Sequence, residues 1–153
     1  MRQTLPSSAL LPHAAPASPY RRLLLFAVRR MAIGGITDAH AAHAIFTGFG
    51  LAYRRPLVLL RALMGELSRV SAVKLMVAPC CCPRMTDNEA MLLNLIGEAN
   101  VWPERTHDAL TRLLHVRTCL GTLSSAQAVA VAFADLGMPL DHDCNPCNRD
   151  EAF

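Results

Sequence analysis

The sequence predicts an all-α protein, a compact bundle of about six helices, on three observations. Leu, Ala, Val and Met supply most of the apolar residues, whereas Phe, Trp and Tyr make up only 5% of the chain. This aliphatic composition favours helix packing over sheets. Apolar residues recur at helical spacing, and capping residues, prolines and glycines divide that pattern into segments.

The chain has 153 residues, which is the length of one domain. Residues 1–18 are rich in Pro, Ser and Ala without apolar periodicity, so we expect a disordered leader outside the fold. Residues 19–137 form the predicted helical domain. Residues 138–153 are acidic and aperiodic, and predict a flexible tail that contains a Cys-x-x-Cys pattern.

The first three helices are predicted from residues that start or stop helices. Ser and Asp side chains cap a first turn, proline fits the first turn, and glycine ends a helix. These signals predict helices from Pro19 to Gly34-Gly35, capped by Ser18; from Thr37 or Asp38 through about Phe49; and from Pro56 through about Val73.

The last three helices follow from the same kinds of signal. Two capping-box patterns, in which Ser or Thr precedes Glu or Gln by three residues, mark two of the starts. The predictions are a fourth helix capped by Thr86 and Glu89, a fifth from Pro103 to roughly Val116, and a sixth that starts at Ser124 with Gln127 and ends before Gly137. Short connections require antiparallel neighbours, so the loops after helices one, three and five share one end of the bundle.

Three consecutive thiols, Cys80, Cys81 and Cys82, are the most informative feature of the chain. They lie between two prolines, in the predicted loop before helix four. Adjacent cysteines bridge only with strain, so the six cysteines do not indicate the disulfide framework of a secreted protein. In a reducing cytoplasm we expect them to be thiols or metal ligands.

The predicted bundle brings the three cysteines near the connection between helices five and six. His115 and Cys119 would project from one face if helix five extends that far, and Cys80 and Cys82 would point the same way in an extended loop. Two loop cysteines with Cys119 and His115 would suit tetrahedral zinc, and thiolates alone would suit copper(I). In the alternative interpretation, His115 and Cys119 are ordinary bundle residues.

A weaker metal-site candidate is Cys144 and Cys147, preceded by His142. Two thiols separated by two residues reach one ion but make only half a site. The loop cysteines or a second chain would have to complete it. The alternative is an unstructured tail with incidental cysteines.

The third interpretation is redox chemistry without a metal. Cys80 to Cys82 precede a helix start and lie beside Arg84, an environment that favours the thiolate and its oxidation. A phosphate-binding glycine loop and a serine nucleophile elbow are both absent from the sequence. We therefore expect no enzymatic activity.

Charge divides the chain into two unequal parts. Residues 1–85 carry eleven Arg or Lys against two acids, and the remainder carries four against ten. This asymmetry favours an unknown protein partner, or self-association through opposite charge faces, unless the two halves neutralise each other within one fold. Nucleic acid is an alternative partner for the basic half, but the apolar third helix argues against groove binding.

The predicted location is the cytoplasm. Uncharged apolar stretches stay well short of the roughly 20 residues that a membrane span needs. Taken together, these patterns predict a cytoplasmic regulatory or interaction module whose cysteine-rich end binds a soft metal ion or senses oxidants. The alternatives are a protein-binding module with structural thiols and a nucleic-acid-binding protein.

Four strings are specific when taken together: residues 36–43 (ITDAHAAH), 53–62 (YRRPLVLLRA), 76–86 (MVAPCCCPRMT) and 125–130 (SAQAVA). Through them, the segment from about Arg21 to Leu140 resembles an uncharacterised family of small bacterial proteins catalogued only as a domain of unknown function. The resemblance implies no activity, ligand or partner. The tail cysteines lie outside that pattern.

Overall fold

The computed structural model describes residues 10–141, in which helices account for most of the chain. A two-stranded antiparallel sheet and a 3-10 turn accompany them. The elements in chain order are β1 His13–Ala14, α1 Pro19–Gly34, α2 Ala39–Phe49, the 3-10 turn Gly50–Ala52, α3 Arg54–Val70, β2 Arg84–Met85, α4 Asp87–Glu98, α5 Pro103–Leu114 and α6 Leu120–Asp135. The predicted all-α bundle is confirmed.

Most helix ends lie where the sequence signals place them. The Ser18 side chain accepts a hydrogen bond from the first turn of α1, and Gly35, with φ of 89°, ends that helix. Asp38 caps α2. At α4, Thr86 and Glu89 form the full capping box, each side chain accepting from the other's backbone N–H. These local hydrogen bonds satisfy N–H groups that a helix start leaves without partners.

The predicted start of the sixth helix at Ser124 is wrong. The helix α6 begins at Leu120, directly after Cys119. Ser124 and Gln127 therefore lie inside the helix, and the Gln127 side-chain amide donates to the Ala99 carbonyl oxygen at 3.0 Å. Gln127 of this Ser-x-x-Gln pattern therefore contacts the end of α4 and does not cap a helix. The spacing of the two residues is the same in both cases, so it does not distinguish them.

The core lies between α3 and α6, with α1, α4 and α5 packed around them. Leu60 and Leu63 on α3 are fully buried, as are Val129 and Phe133 on α6. The Phe133 ring meets the Phe49 ring edge to face, with ring centroids 4.8 Å apart. Among the helices of residues 10–141, none has the length and apolar character needed to cross a membrane.

Residues 10–18, assigned by the sequence to the disordered leader, lie against the helical domain. His13 pairs with Met85 and Ala14 with Arg84 in the small sheet. The Arg84 guanidinium also donates to the carbonyl oxygens of Leu11 and Pro12, both at 2.7 Å. These contacts are made by backbone groups and require no apolar periodicity in residues 10–18. The sequence therefore gave no sign that this segment is ordered.

The beginning of the predicted tail, residues 138–141, also packs on the bundle. Leu140 is 3% exposed, and Met138 contacts the core. A Cβ atom at Gly97 of α4 would lie 2.4 Å from the Leu140 carbonyl oxygen, so this close approach depends on glycine. The bundle therefore extends past residue 137, and residues 142–153 lie outside the described part of the chain.

Replacing Gly97 with Ala is expected to lower the free energy of unfolding by about 1–3 kcal/mol, because the new methyl group overlaps backbone. Gly65 of α3 is the matched control, since a Cβ there meets nothing within 4 Å. Gly65→Ala is expected to stabilise the protein by roughly 0.5–1 kcal/mol. Urea unfolding followed by circular dichroism measures both changes. A neutral Gly97→Ala variant would show that residues 138–141 do not pack on α4.

Candidate functional site: the cysteine loop

The three consecutive cysteines lie in the segment that joins α3 to α4. We call residues 78–86 the cysteine loop. The Cys82 N–H donates to the Pro79 carbonyl oxygen at 3.0 Å, which closes a tight turn with Cys80 and Cys81 at its corner. Cys81 is exposed, whereas Cys80 and Cys82 are partly buried. The segment is therefore a turn and not the expected extended loop.

Beneath this turn, Arg29 of α1 and Glu89 of α4 form a buried ion pair that we call the clasp. The Arg29 Nε atom donates to Glu89 Oε1 at 2.8 Å, and a terminal nitrogen donates to Oε2 at 3.0 Å. Their side chains are 3% and 1% exposed. Both oxygens of the carboxylate thus meet the guanidinium in the bidentate geometry that makes such pairs strong.

The clasp also holds the backbone of the cysteine loop on both sides of the turn. Arg29 donates to the carbonyl oxygens of Cys82 at 2.8 Å and Arg84 at 2.7 Å. Glu89 accepts from the N–H groups of Ala78 at 3.0 Å and Thr86 at 2.9 Å. Four backbone groups of a nine-residue loop are therefore bound to two buried side chains.

Burying two charges costs several kcal/mol each unless hydrogen bonds replace the lost water. In the clasp, the carboxylate accepts four hydrogen bonds and the guanidinium donates four. A polar network satisfied to this extent fixes one conformation of the groups around it. We conclude that the cysteines are presented on a rigid turn.

The sequence analysis missed the clasp, although the chain contains one signal for it. Arg29 was counted only with the basic residues, and Glu89 was recognised only as part of the capping box. Arg29 follows Leu25 by four residues and Val28 by one, and all three are buried on the same stripe of α1. A cation on an apolar stripe requires a buried acceptor, but no pattern indicates which carboxylate supplies it.

A second ion pair borders Cys80. Arg30 donates to both carboxylate oxygens of Asp38, at 3.2 and 2.8 Å. The pKa of Arg30 is raised, first by the hydrogen bond to Asp38 and further by its interaction with the side chain of Cys80. The loops after α1 and α3 therefore share one end of the bundle, as the antiparallel arrangement predicts.

The Asp38 carboxylate makes the free energy of unfolding depend on pH. Its hydrogen bond from Arg30, followed by that from the Ala41 N–H, lowers its pKa from 3.8 to about 2. A carboxyl group with a depressed pKa stabilises the fold fully above its unfolded pKa, and this contribution is lost as the pH falls through the folded value.

The variant Asp38→Asn keeps a good cap and removes the charge. Its melting temperature should be below that of the wild type at pH 6, and the difference should shrink between pH 4 and pH 2. Thermal unfolding followed by circular dichroism over this range measures it. A difference that stays constant down to pH 2 would contradict the role of the ion pair.

His115 and Cys119 do not share a helix face, so that premise of the predicted metal site is wrong. The helix α5 ends at Leu114, and His115 adopts a left-handed conformation with φ of 53°. Cys119 is 3% exposed, and its backbone N–H donates to His107 Nε2 at 3.3 Å. Burial raises the pKa of the Cys119 thiol. The sequence analysis had not singled out His107.

The described residues hold no group of three or more His, Cys, Asp or Glu side chains placed to bind a metal ion. Cys80, Cys81, Cys82, His115 and Cys119 are among these residues, and they form no such group. His142, Cys144 and Cys147 lie outside the described residues. The predicted use of Cys144 and Cys147 therefore stays a prediction.

A family model matches residues 5–137 of the chain, which include all of α1 to α6 and the cysteine loop. The chain belongs to DUF6628, a family of unknown function. The match confirms that the chain falls in a family of unknown function, as the four strings indicated. No curated protein and no solved structure matches it. Membership of DUF6628 assigns no activity, so function must be argued from geometry.

In this member of DUF6628, arginines of the basic half bind acceptors within the chain. The clasp pairs Arg29 with Glu89, and Arg55 contacts Asp135 at 2.8 Å, so both pairs join the basic and acidic halves. Further intramolecular contacts join Arg22 to the Pro16 carbonyl, Arg61 to the Ile36 carbonyl, Arg69 to Glu66, and Arg84 to the Leu11 and Pro12 carbonyls. The two ion pairs that join the halves favour neutralisation within one fold over two separate charge faces.

Proposed function

We propose that the protein is a non-enzymatic regulatory module of the cytoplasm, and that its cysteine loop senses oxidants. The observation that carries this proposal is the thiol-bearing turn, which presents Cys81 to solvent and is held by the buried clasp. A reducing compartment keeps such thiols available for reaction. Redox-sensing cysteines are typically accessible and have a second thiol close by.

The surroundings of Cys80 support this chemistry. The Arg30 guanidinium interacts with the Cys80 side chain, so a cation adjoins one thiol of the turn. Cys119 differs from the exposed Cys81, because it is buried and burial raises the pKa of its thiol. One chain therefore supplies both the candidate sensor and an internal control.

The proposed reaction uses hydrogen peroxide as the oxidant. The sulfur of one loop cysteine attacks a peroxide oxygen, the O–O bond breaks, and the products are a sulfenic acid and water. The thiol of a second loop cysteine then attacks the oxidised sulfur, forms an S–S bond and releases a second water. Two thiols are oxidised by two electrons, and peroxide is reduced to two waters.

Oxidation is coupled to structure because a disulfide within this turn requires a change of backbone. The carbonyl oxygen of Cys82 is held by Arg29, so a shift of the turn pulls on the clasp. We propose that this loosening is the regulatory signal, which a protein partner reads.

The test treats reduced, full-length protein with hydrogen peroxide, traps sulfenic acid with dimedone and identifies each modified cysteine by mass spectrometry. The expected result is modification of the cysteine loop before Cys119, with reversal by dithiothreitol when dimedone is omitted. Arg30→Gln should slow the reaction at Cys80, whereas Arg55→Gln, which removes an exposed ion pair, should not. Loop cysteines that react no faster than Cys119 would refute the proposal.

Binding of zinc or copper(I) is the second candidate, because it explains the same three cysteines. Since the described residues show no group of three ligands, this candidate requires Cys144 and Cys147 or a second chain. Elemental mass spectrometry on untagged protein purified under reducing conditions decides it. About one metal ion per chain, lost in the variant Cys144→Ser/Cys147→Ser, would favour the metal site over oxidant sensing.

The remaining alternative is a protein-binding module in which the thiols are structural and take no part in function. If a partner is captured equally well by the wild type and by Cys80→Ser/Cys81→Ser/Cys82→Ser, the thiols are not part of the signal. Nucleic-acid binding has less support, because several arginines of the basic half contact acceptors within the chain.

A further inference from the structure

A half-open cavity of about 380 Å³ lies beside the cysteine loop, between α1, α3, α4 and the segment 73–77. The side chains that form it are mostly aliphatic or thioether groups. They include Met31, Met64, Leu67, Leu75, Val77 and Leu92. Met31, Leu67 and Leu92 are themselves at most 6% exposed, so the floor of the cavity belongs to the core.

The polar groups of the cavity define the charge of what it would accept. Glu89 is the one ionisable side chain among its described lining residues, and its carboxylate already accepts four hydrogen bonds in the clasp. The remaining polar side chains are neutral: Ser68, Ser71 and Asn88. Among the lining residues that the structure describes, no cation is present for an anionic ligand, and the one carboxylate is already paired with Arg29.

We propose that this cavity binds a small, neutral, mainly apolar molecule that carries a hydrogen-bonding group, such as a medium-chain alcohol or an aromatic amine. The volume is more than twice that of the roughly 150 Å³ apolar cavity that accommodates benzene. It also falls in the range of small-molecule sites, about 300–1,000 Å³, which combine apolar walls with a few polar groups. Met31 and Met64 suit such a site because flexible thioethers adapt to different ligand shapes.

Access to the cavity is provided by its rim. Ala32 on α1 and Ser68 on α3 line it and are exposed. A large side chain at either position would fill the opening without replacing a core residue. These positions therefore give variants that test binding with little effect on folding.

The experiment titrates full-length protein with N-phenyl-1-naphthylamine, a neutral dye that fluoresces in apolar surroundings. The expected result is saturable binding of one dye per chain, reversed by decanol as a competitor. Ser68→Trp should abolish binding, and Ala32→Trp should do the same. The matched control is Ser124→Trp, an exposed helical serine that does not line the cavity, and it should bind like the wild type.

The absence of saturable binding in the folded wild type would overturn the proposal. Binding that survives both Ser68→Trp and Ala32→Trp would overturn it as well, because the dye would then occupy another surface. Circular dichroism of each variant establishes that it is folded. The variant Cys80→Ser/Cys81→Ser/Cys82→Ser should still bind the dye, since none of these cysteines lines the cavity.

Discussion

Replacing Glu89 with Gln is expected to lower the free energy of unfolding by about 3–5 kcal/mol, the usual cost of removing one partner of a buried ion pair. The substitution keeps the size of the side chain and removes its charge. Arg29, whose side chain is 3% exposed, would then be a buried cation without a counter-ion. One of the two loop N–H groups now bound by the carboxylate would also lose a good acceptor. Urea unfolding followed by circular dichroism measures the change.

The matched control for this prediction is Asp135→Asn. Asp135 also pairs with an arginine at 2.8 Å, but the side chains of Arg55 and Asp135 are 55% and 51% exposed. An exposed pair contributes about 0–1 kcal/mol, so this variant should be close to the wild type. Equal effects of the two substitutions would show that the clasp does not hold the fold together.

Replacing both clasp residues with apolar ones, Arg29→Met/Glu89→Leu, should leave the free energy of unfolding below that of the wild type. Apolar substitution of a whole buried ion pair is often neutral or stabilising. In this protein it would leave the carbonyls of Cys82 and Arg84 and the N–H groups of Ala78 and Thr86 without their partners. Each unpaired buried group costs about 1–3 kcal/mol. A fully stable double variant would contradict the loop-holding role.

Replacing Phe133 with Ala is expected to have an effect of similar size, a loss of about 3–5 kcal/mol, because a large cavity forms in the core. Phe133 is fully buried on α6 and meets the Phe49 ring edge to face. The loss should affect the whole bundle, since α6 packs along α3. Urea unfolding again gives the free energy of unfolding.

Val131→Ala on the same helix is the control for the Phe133 substitution. Val131 is 38% exposed, so removing two of its carbons should cost well under half as much. If Phe133→Ala were as mild as Val131→Ala, the bundle core would not lie between α3 and α6.

The sequence predicted those parts of the fold that depend on residues close together in the chain. Ser18, Asp38 and Thr86 cap helices through hydrogen bonds within one turn, so their patterns identified the helix starts correctly. The same logic failed at Ser124, where Gln127 donates to the carbonyl oxygen of Ala99, directly after the end of α4. Local spacing does not distinguish a cap from a contact between helices.

The sequence predicted where the cysteine loop lies in the chain, but it did not predict the clasp that holds this loop. Three consecutive cysteines between prolines were enough to identify the loop. The clasp depends on Arg29 and Glu89, which are 60 residues apart in the chain, and no local pattern joins them. The prediction for His115 and Cys119 failed because α5 ends at Leu114. A spacing of four residues places two side chains on one face only when both residues lie in the helix.

The most direct test of the account compares peroxide oxidation of each cysteine in the wild type and in Glu89→Gln, under conditions where both are folded. If the clasp fixes the turn, it also sets which cysteine reacts. Tandem mass spectrometry should find selective oxidation within the cysteine loop of the wild type. In Glu89→Gln, the rates at Cys80, Cys81 and Cys82 should become similar. The same pattern and rates in both proteins would contradict the account.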